Sequence, residues 1–419
     1  MKPLAIDGGP PARSKPLPPN YPGAVMFGRE EAVAVTGVVA EQSPFRYYGC
    51  NPPHAVRALE DRMAAALGVP YVLGVSSCTA ALIVALKALG IGYGDKVIVP
   101  ANTFHATPGA VVCSHAVPVF ADVDDTLNLD PNALEQLIDD EVKAIIVVPI
   151  LGNPVDLDPI LAIARRHGIP VIEDAAQSCG ASYKGRPVGT AADIGVFSFQ
   201  MNKIITSGEG GAIVTRDPAL FERAVRYHDQ GQFRESARYG MEADPAGAFV
   251  GQNYRMGELA GAVLLEQWDK LERIVESMRM NAKAIRSALT ASIPELRFRR
   301  EVDPKGSLGS ALGMILPTAE DARRFVDALH AENIQVFLLY GGLPAYRVPQ
   351  IFHQRTAEAS GFPFNFPFKR PVVYTEDMCP SAVDLIARTV YLPVSPLLSP
   401  KDVEEIVEGI VKVHHFLSA

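Results

Sequence analysis

Lys203 is the residue of this chain whose surroundings most directly suggest chemistry. It lies between Phe197-Ser198-Phe199 and Gly208-Glu209-Gly210-Gly211, in a segment of mostly apolar and small residues. A buried ammonium group is costly unless its pKa falls or it is bound covalently, and a lysine so placed suits Schiff-base formation with a carbonyl compound. Lone lysines are commonly solvated, so a surface lysine is the alternative on this segment alone.

Two adjacent carboxylates, Glu173 and Asp174, follow the apolar residues Val171 and Ile172 at the end of a predicted strand. Side chains alternate along a strand, so these two point in opposite directions and do not form an acid/base pair on one face. A carboxylate here could keep a ligand's ring nitrogen protonated and so deepen an electron sink. The alternative is a favourable charge at a helix N-terminus.

Two further junctions combine small, hydroxyl and aromatic side chains. Residues 76–81, Ser-Ser-Cys-Thr-Ala-Ala, join a predicted strand to a helix, where backbone amides and the helix dipole favour an anion. A plain N-cap by Ser77 or Thr79 is the alternative.

After the next strand, Phe104 could lie against a planar ligand or belong to the core. His105 is a candidate for substrate contact, with a hydrogen-bonded structural histidine as the alternative.

These residues need a scaffold, and apolar runs that alternate with helical patterns predict an α/β fold with a mainly parallel sheet covered by helices on both faces. Ligands of such sheets bind at the carboxyl ends of the strands. The predicted strands are Tyr71–Val75, Lys96–Val99, Pro118–Ala121, Ala144–Val148, Pro170–Glu173, Gly195–Ser198 and Gly211–Thr215. A helix is predicted over 131–139, between the third and fourth strands.

Four segments follow from changes in composition and pattern along the chain. Residues 1–50 are rich in Pro and Gly and predict an extended N-terminal arm, and 51–255 form a large domain. A long linking helix is predicted over 256–290, and 291–419 form a smaller α+β domain. In it we expect strands at 311–315 and 334–338, helices at 319–331 and 400–417, and an ordered loop excursion over 340–379.

Composition excludes several classes of protein. The net charge of −8 provides no basic field for nucleic acid or anionic lipid. Five scattered cysteines without a C-x-x-C pair make a disulfide framework or a zinc site improbable, so no metal is expected. The longest apolar stretch, 72–92, is too interrupted for a membrane helix, and no apolar signal segment is evident. We therefore expect a cytoplasmic protein.

The order of these motifs resembles the DegT/DnrJ/StrS family of sugar and cyclitol aminotransferases, which have the pyridoxal-phosphate-dependent transferase fold type I. The similarity runs from Gly8-Gly9 to the closing helix. It includes Gly-Asp-Lys-Val-Ile-Val-Pro (94–100), Pro-Val-Phe-Ala-Asp-Val-Asp (118–124) and Gly-Glu-Gly-Gly-Ala-Ile-Val-Thr (208–215). As an ordered set these motifs are highly specific.

The resemblance implies a site for pyridoxal 5'-phosphate (PLP), shared between the two chains of a homodimer. The phosphate would be bound at residues 77–80, with Thr79 and the Ala80 amide beside Ser77 and Cys78, and by Ser198. Phe104 would stack on the ring, Asp174 would pair with the ring nitrogen, and Gln177 would lie beside the ring or its hydroxyl. Lys203 would form the internal Schiff base, and Asn253 would reach the neighbouring chain's phosphate.

The implied reaction moves an amino group from L-glutamate or L-glutamine to a keto sugar or keto cyclitol, with the freed Lys203 amine as the general base and Asp174 as its catalytic partner. Two features depart from the family. Cys78 occupies a position where relatives usually have Gly, and the excursion beginning at Tyr340, a candidate for substrate contact, is closer to cyclitol-type relatives than to nucleotide-sugar enzymes.

Three other functions stay open from the sequence. Some relatives dehydrate deoxysugars, but in those the active lysine is replaced. A related branch aromatises an amino-shikimate-type ring, as amino-hydroxybenzoate synthase does, and Lys203 is compatible with it. A non-catalytic PLP-binding sensor would have no need to keep Lys203, Asp174 and Ser198 together. A nicotinamide-dependent oxidoreductase is disfavoured, because the first strand-to-helix turn lacks G-x-G-x-x-G.

Overall fold

The computed structural model describes residues 3–242 and 244–417. The strands of the large domain are β1 (Tyr71–Val75), β2 (Lys96–Pro100), β3 (Val117–Ala121), β4 (Val142–Val147), β5 (Val171–Asp174), β6 (Ser182–Tyr183), β7 (Arg186–Pro187), β8 (Ile194–Ser198) and β9 (Gly211–Thr215). Seven of them form one sheet in the order β1-β9-β8-β5-β4-β2-β3, and only β9 runs antiparallel to its neighbours. Strands β6 and β7 pair as a short hairpin. The predicted mainly parallel seven-stranded sheet is confirmed.

Helices cover both faces of this sheet, because its strands are apolar on both sides. In β4, Ala144 and Ile146 face one core while Ile145 and Val147 face another, as the two-residue period of a strand requires. The helices of this half are α1 (Arg29–Ala40), α2 (Ala55–Leu67), α3 (Cys78–Ala88), α4 (Ala106–Cys113), α5 (Leu157–His167), α6 (Pro218–His228) and α7 (Ser236–Tyr239). Apolar residues of α3, α4 and α6 fill the first core, whereas α2 and α5 cover the opposite face.

Helix α8 (Glu258–Ser292) spans 35 residues and leads from the large domain into the small one. The small domain has an antiparallel sheet in the order β10-β11-β13-β12. Its strands are β10 (Arg297–Phe298), β11 (Ala311–Ile315), β12 (Phe337–Leu338) and β13 (Thr389–Pro393), and its helices are α9 (Ala319–Ala331), α10 (Pro349–Phe352), α11 (Pro380–Arg388) and α12 (Pro400–Leu417). The expected α+β composition is confirmed, and the four segment boundaries stay a prediction.

Three local predictions are wrong. The helix expected over 131–139 is a 3-10 turn, Pro131–Ala133, and the amides that follow keep this tighter pattern, since Leu134 donates to Pro131 and Leu137 donates to Leu134. The strand expected over 334–338 is shorter and consists of β12 alone. It begins later because the Ile334 amide still donates to the Leu329 carbonyl oxygen at the end of α9. Residues 29–40 of the expected extended arm form α1, which packs on α8.

The arm is fastened to both domains rather than loosely attached. Arg13 is buried and forms ion pairs of 2.7 Å with Asp402 and with Glu405 of α12. Farther along, the Gly23 amide donates to the Lys203 carbonyl oxygen at 3.3 Å. Buried Glu31 of α1 accepts hydrogen bonds from Gln267 and from Lys270 of α8. The residues between these attachments are therefore held across the boundary of the two domains.

The excursion 340–379 begins near the carboxyl ends of the strands and then covers the edge strand β3. The Tyr374 hydroxyl donates to the Pro118 carbonyl oxygen at 2.7 Å, and the Tyr346 ring packs edge-on against Phe120. This cover blocks the free edge of the sheet. Within the described residues, no helix is long and apolar enough to cross a membrane, and no three His, Cys, Asp or Glu side chains are grouped to hold a metal ion.

Candidate active site

A cavity of about 820 Å³ opens at the carboxyl ends of β5 and β8, between the two domains and the arm. Most residues predicted for the site line this cavity, so the fold brings together segments that lie far apart in sequence. They are Ser77, Cys78, Thr79, Phe104, Asp174, Gln177, Ser198, Lys203 and Tyr340. Ala80, His105 and Asn253 are not among its lining residues.

Asp174 is buried at the end of β5, and three donors surround its carboxylate. Thr107 Oγ1 donates to Oδ2 at 2.9 Å, while the Ala176 amide at 3.1 Å and the Cys78 thiol at 3.9 Å approach Oδ1. Burial raises the pKa of Asp174, and the hydrogen bonds oppose that rise. The carboxylate is therefore fixed in position and forms no ion pair with another described residue, and a protonated ring nitrogen would supply a cationic partner.

Glu173 confirms the alternation expected from the strand, because it lies on the other face of the sheet. It is buried and does not line the cavity. Burial raises the pKa of Glu173 to about 7, although the nearby backbone amides of Gly189 and Ala191 oppose this rise. It packs as a structural carboxyl group on the loop before β8.

Lys203 follows β8 in a loop whose backbone is fixed by a bond from its own amide to the Gln200 carbonyl oxygen at 2.9 Å. Burial lowers the pKa of the Lys203 ammonium group, while the nearby Cys78 and Asp174 oppose that change. A lowered pKa increases the fraction of neutral amine, which is the form that attacks a carbonyl carbon or accepts a proton. This setting differs from that of a solvated lysine.

The N-terminus of α3 forms the floor of the cavity. Ser77 is the N-cap of α3, and its Oγ accepts a hydrogen bond from the Ala80 amide at 3.1 Å. The prediction that Ser77 could cap this helix is confirmed. Gly211 lies directly beneath, since an added Cβ would come within 2.5 Å of the Ser77 carbonyl carbon and 2.7 Å of the Cys78 nitrogen. The Cys78 thiol points towards Asp174 and so does not crowd the helix end.

Phe104 and Tyr340 form an aromatic wall above these groups. Phe104 is 46% exposed, and its ring centroid is 5.9 Å from that of Tyr340. The Tyr340 hydroxyl accepts a hydrogen bond from Gln177 Nε2 at 2.9 Å, and Gln177 Oε1 accepts one from the Leu151 amide. An exposed aromatic face beside a buried carboxylate is suited to a flat heteroaromatic ring.

His105 and Asn253 occupy different surroundings. His105 is exposed at the start of α4, and its ring centroid lies 3.9 Å from that of Phe104. Asn253 is exposed on an isolated bridge to Asp229, and its Oδ1 accepts a hydrogen bond from the Arg255 amide at 3.4 Å. Asn253 therefore lies outside its own chain's cavity, and its action on a neighbouring chain stays a prediction.

Two parts of the site were not assigned to particular residues from the sequence. Thr107 is three residues beyond Phe104, and its amide donates to the Phe104 carbonyl oxygen at 3.0 Å in the turn that leads into α4, so its position next to this motif is a signal that could have identified it. Thr103 supports Thr107 through an Oγ1–Oγ1 contact of 2.8 Å. Residues 17–22 of the arm also line the cavity, but a Pro-rich segment without periodicity carries no sequence signal for this placement.

The fold and the site define a PLP-dependent aminotransferase of fold type I. Residues 50–411 match the DegT/DnrJ/EryC1/StrS aminotransferase family, and the chain belongs to this family.

Relatives and solved structures agree with this assignment. An L-glutamine:2-deoxy-scyllo-inosose aminotransferase of Streptomyces kanamyceticus is 40% identical over 341 residues, which cover 78% of each chain. An L-glutamine:scyllo-inosose aminotransferase of Streptomyces griseus is 37% identical over 78% of each. The crystal structure of 3-amino-5-hydroxybenzoic acid synthase superposes with a TM-score of 0.81 at 26% identity, covering 96% of this chain and 100% of that one.

Proposed function

We propose that this enzyme transfers the amino group of L-glutamine to a keto cyclitol of the scyllo-inosose type, with PLP bound at Lys203. The observation that carries the proposal is that Lys203 and Asp174 face one cavity, with the Lys203 pKa lowered by burial and Asp174 held by Thr107. The relatives at 37–40% identity are aminotransferases for L-glutamine and inososes, which supports this donor and this class of acceptor.

The residues of the cavity fit PLP. The N-terminus of α3 offers amides and a favourable dipole to a phosphate, and the glycine at 211 lets the backbone pack closely behind it. Ser198 Oγ lines the same region. Phe104 offers an exposed ring face, and Asp174 offers a buried carboxylate whose raised pKa a cationic nitrogen would lower again. When bound, PLP supplies the electron sink that makes a carbon–hydrogen bond next to nitrogen acidic.

The protein's own residues would then divide the work of proton transfer and positioning. Lys203 would hold the cofactor at rest, and its freed amine would accept and return the proton at the reacting carbon. Asp174 would keep the ring nitrogen protonated. Gln177, whose side chain is fixed by the Leu151 amide and the Tyr340 hydroxyl, would lie beside the ring.

The experiment that tests this proposal is an absorbance spectrum of the purified protein before and after L-glutamine is added. We expect a visible band of lysine-bound cofactor that L-glutamine converts to the spectrum of the aminated cofactor. Lys203→Ala should lose that band and all turnover, whereas Lys305→Ala, a change at an exposed lysine, should keep both. A band that L-glutamine leaves unchanged would favour ring-aromatising chemistry or a sensor, and normal turnover of Lys203→Ala would refute the assignment.

We also propose a cytoplasmic homodimer in which Asn253 completes the neighbouring chain's phosphate site. Its exposed position outside its own cavity supports this arrangement. Chains carrying Asn253→Ala and chains carrying Lys203→Ala should each be weakly active or inactive alone and should recover part of the activity when mixed, because one site of each hybrid dimer contains both residues. Absence of recovery after demonstrated subunit exchange would contradict the shared site.

A further inference from the structure

The cavity has an outer half that the cofactor residues do not occupy. It is formed by residues 17–22 of the arm on one side and by the small domain on the other, where Ser310, Gln335 and Ser395 contribute polar groups. We call this region the outer wall. Since the reacting carbon of any acceptor must reach the Lys203 end, the remainder of the acceptor has to lie against the outer wall.

The outer wall is uncharged. Among the described residues that line the whole cavity, the charged side chains are Lys203, Asp174 and Glu209. Lys203 is the single cation of this set, and the proposed function engages it with the cofactor. An acceptor linked to a nucleoside diphosphate carries phosphate charges that proteins bind with Arg or Lys side chains, and the described residues of this chain place no Arg or Lys on the outer wall.

Three side chains of the outer wall offer unused hydrogen-bonding groups. Asn20, Tyr21 and Gln335 are exposed, and none of their side chains has a hydrogen-bond partner within residues 3–242 and 244–417. Carboxamides donate and accept, and a phenol does both, so this set matches hydroxyl groups, which also donate and accept. The nearby Ser310 and Ser395 hydroxyls instead already bond to the Leu151 and Pro19 carbonyl oxygens.

The arm is rigid enough to select a ligand. Upstream, Arg13 is fixed by Asp402 and Glu405, and Ser395 Oγ donates to the Pro19 carbonyl oxygen at 3.3 Å. Downstream, Gly23 packs so closely that an added Cβ would come within 2.7 Å of the Ile205 Cα. Asn20 and Tyr21 lie between these anchors, so their positions are set before a ligand arrives, which limits the entropy lost on binding.

We propose that Asn20, Tyr21 and Gln335 form the acceptor subsite and select a neutral, polyhydroxylated ketone over a nucleotide-linked sugar. This inference rests on the proposed function, because it assigns the acceptor of that reaction. It places the determinants of acceptor choice in the arm and in the loop between α9 and β12. Beyond Tyr340, the excursion 340–379 contributes no residue to the cavity lining.

The test separates the two half-reactions. Enzyme converted to its aminated form with L-glutamine is mixed with 2-deoxy-scyllo-inosose, and the return of the visible band is followed. Asn20→Ala, Tyr21→Phe and Gln335→Ala should each raise the half-saturating acceptor concentration roughly three- to tenfold, the effect of one lost hydrogen bond. The glutamine half-reaction should change less than about twofold. Gln136→Ala, at an exposed glutamine far from the cavity, is the matched control.

Binding measured without turnover makes the test independent of the reaction. Calorimetry with myo-inositol, a cyclitol without a carbonyl group, should show weaker binding to the three variants than to the wild type, and UDP-glucose should not compete. Any one of three results would overturn the subsite. These are competition by UDP-glucose, equal effects of the substitutions on both half-reactions, and wild-type affinity for myo-inositol in all three variants. If L-glutamine fails to convert the wild type, the proposed function fails, whereas conversion with unchanged acceptor behaviour of the variants refutes the subsite alone.

Discussion

Gln177 Nε2 donates a hydrogen bond of 2.9 Å to the Tyr340 hydroxyl, and this bond joins the loop after β5 to the segment after β12. Tyr340 has a φ of 52°, a left-handed conformation that costs a residue with a side chain about 1–3 kcal/mol and persists where the surroundings hold it. Gln177 is in turn fixed by the Leu151 amide. The aromatic wall of the cavity is thus positioned by contacts between the two domains.

Tyr340→Phe should weaken both stability and turnover. The change removes the acceptor of Gln177 Nε2, which costs about 0.5–1.5 kcal/mol for a hydrogen bond of a half-buried group, and frees the side chain that would lie beside the ring. We expect a lower melting temperature and a lower kcat. Tyr48→Phe, at an exposed tyrosine whose hydroxyl has no partner among the described residues, is the control. Equal behaviour of the two variants would show that the bond is unimportant.

Thr107→Val should impair the cofactor's chemistry more than its binding. Val keeps the shape of Thr but removes the hydroxyl that donates to Asp174, so the carboxylate loses one of its three fixed donors. We expect a slower glutamine half-reaction, by roughly tenfold, and a shifted visible band. Thr107→Ser retains the hydroxyl and should restore both. A Val variant with the wild-type spectrum and rate would exclude a positioning role for Thr107.

Glu173→Gln should alter how stability depends on pH. The pKa of Glu173 is about 7 in the folded protein, whereas the ordinary value of 4.5 applies to the unfolded chain. Between pH 4.5 and pH 7 the folded chain therefore binds more protons than the unfolded chain. The free energy of unfolding therefore falls as pH rises from about 4.5 to about 7, by as much as about 3 kcal/mol from this group. Gln mimics the protonated acid. We therefore expect the difference in melting temperature, variant minus wild type, to be larger at pH 8 than at pH 5. If this difference is the same at both pH values, the pKa assigned to Glu173 is wrong.

Gly211→Ala should lower cofactor affinity, because the new Cβ would displace the backbone of Ser77 and Cys78 at the start of α3. The expected result is a protein purified with little bound PLP and a raised Kd on reconstitution. Gly37→Ala is a suitable control, since an added Cβ there meets nothing within 4 Å and should stabilise α1 by about 0.5–1 kcal/mol. Full PLP occupancy in Gly211→Ala would show that the helix end can shift without loss.

Sequence patterns predicted the parts of the molecule that depend on periodicity and local turns. The buried strands and the long helix α8 followed from apolar runs and helical spacings. The joint roles of Lys203 and Asp174, which line one cavity, were instead implied by the family resemblance. The 3-10 turn at Pro131–Ala133 was missed because the apolar spacing of 131–139 does not distinguish hydrogen bonds to the third residue back from those to the fourth. The placement of Asn20 and Tyr21 was missed because their setting depends on long-range contacts of a segment with no period.

The fastening of the arm has a consequence for how the enzyme is made. The Ala5 and Ala12 amides donate to the Glu332 carboxylate, and Arg13 pairs with Asp402 and Glu405, residues more than 300 positions later. Because these partners lie so much later in the chain, the arm cannot form its contacts until the small domain has been translated. Residues 17–22, which form one side of the substrate pocket, are therefore placed after the segments that form the other side.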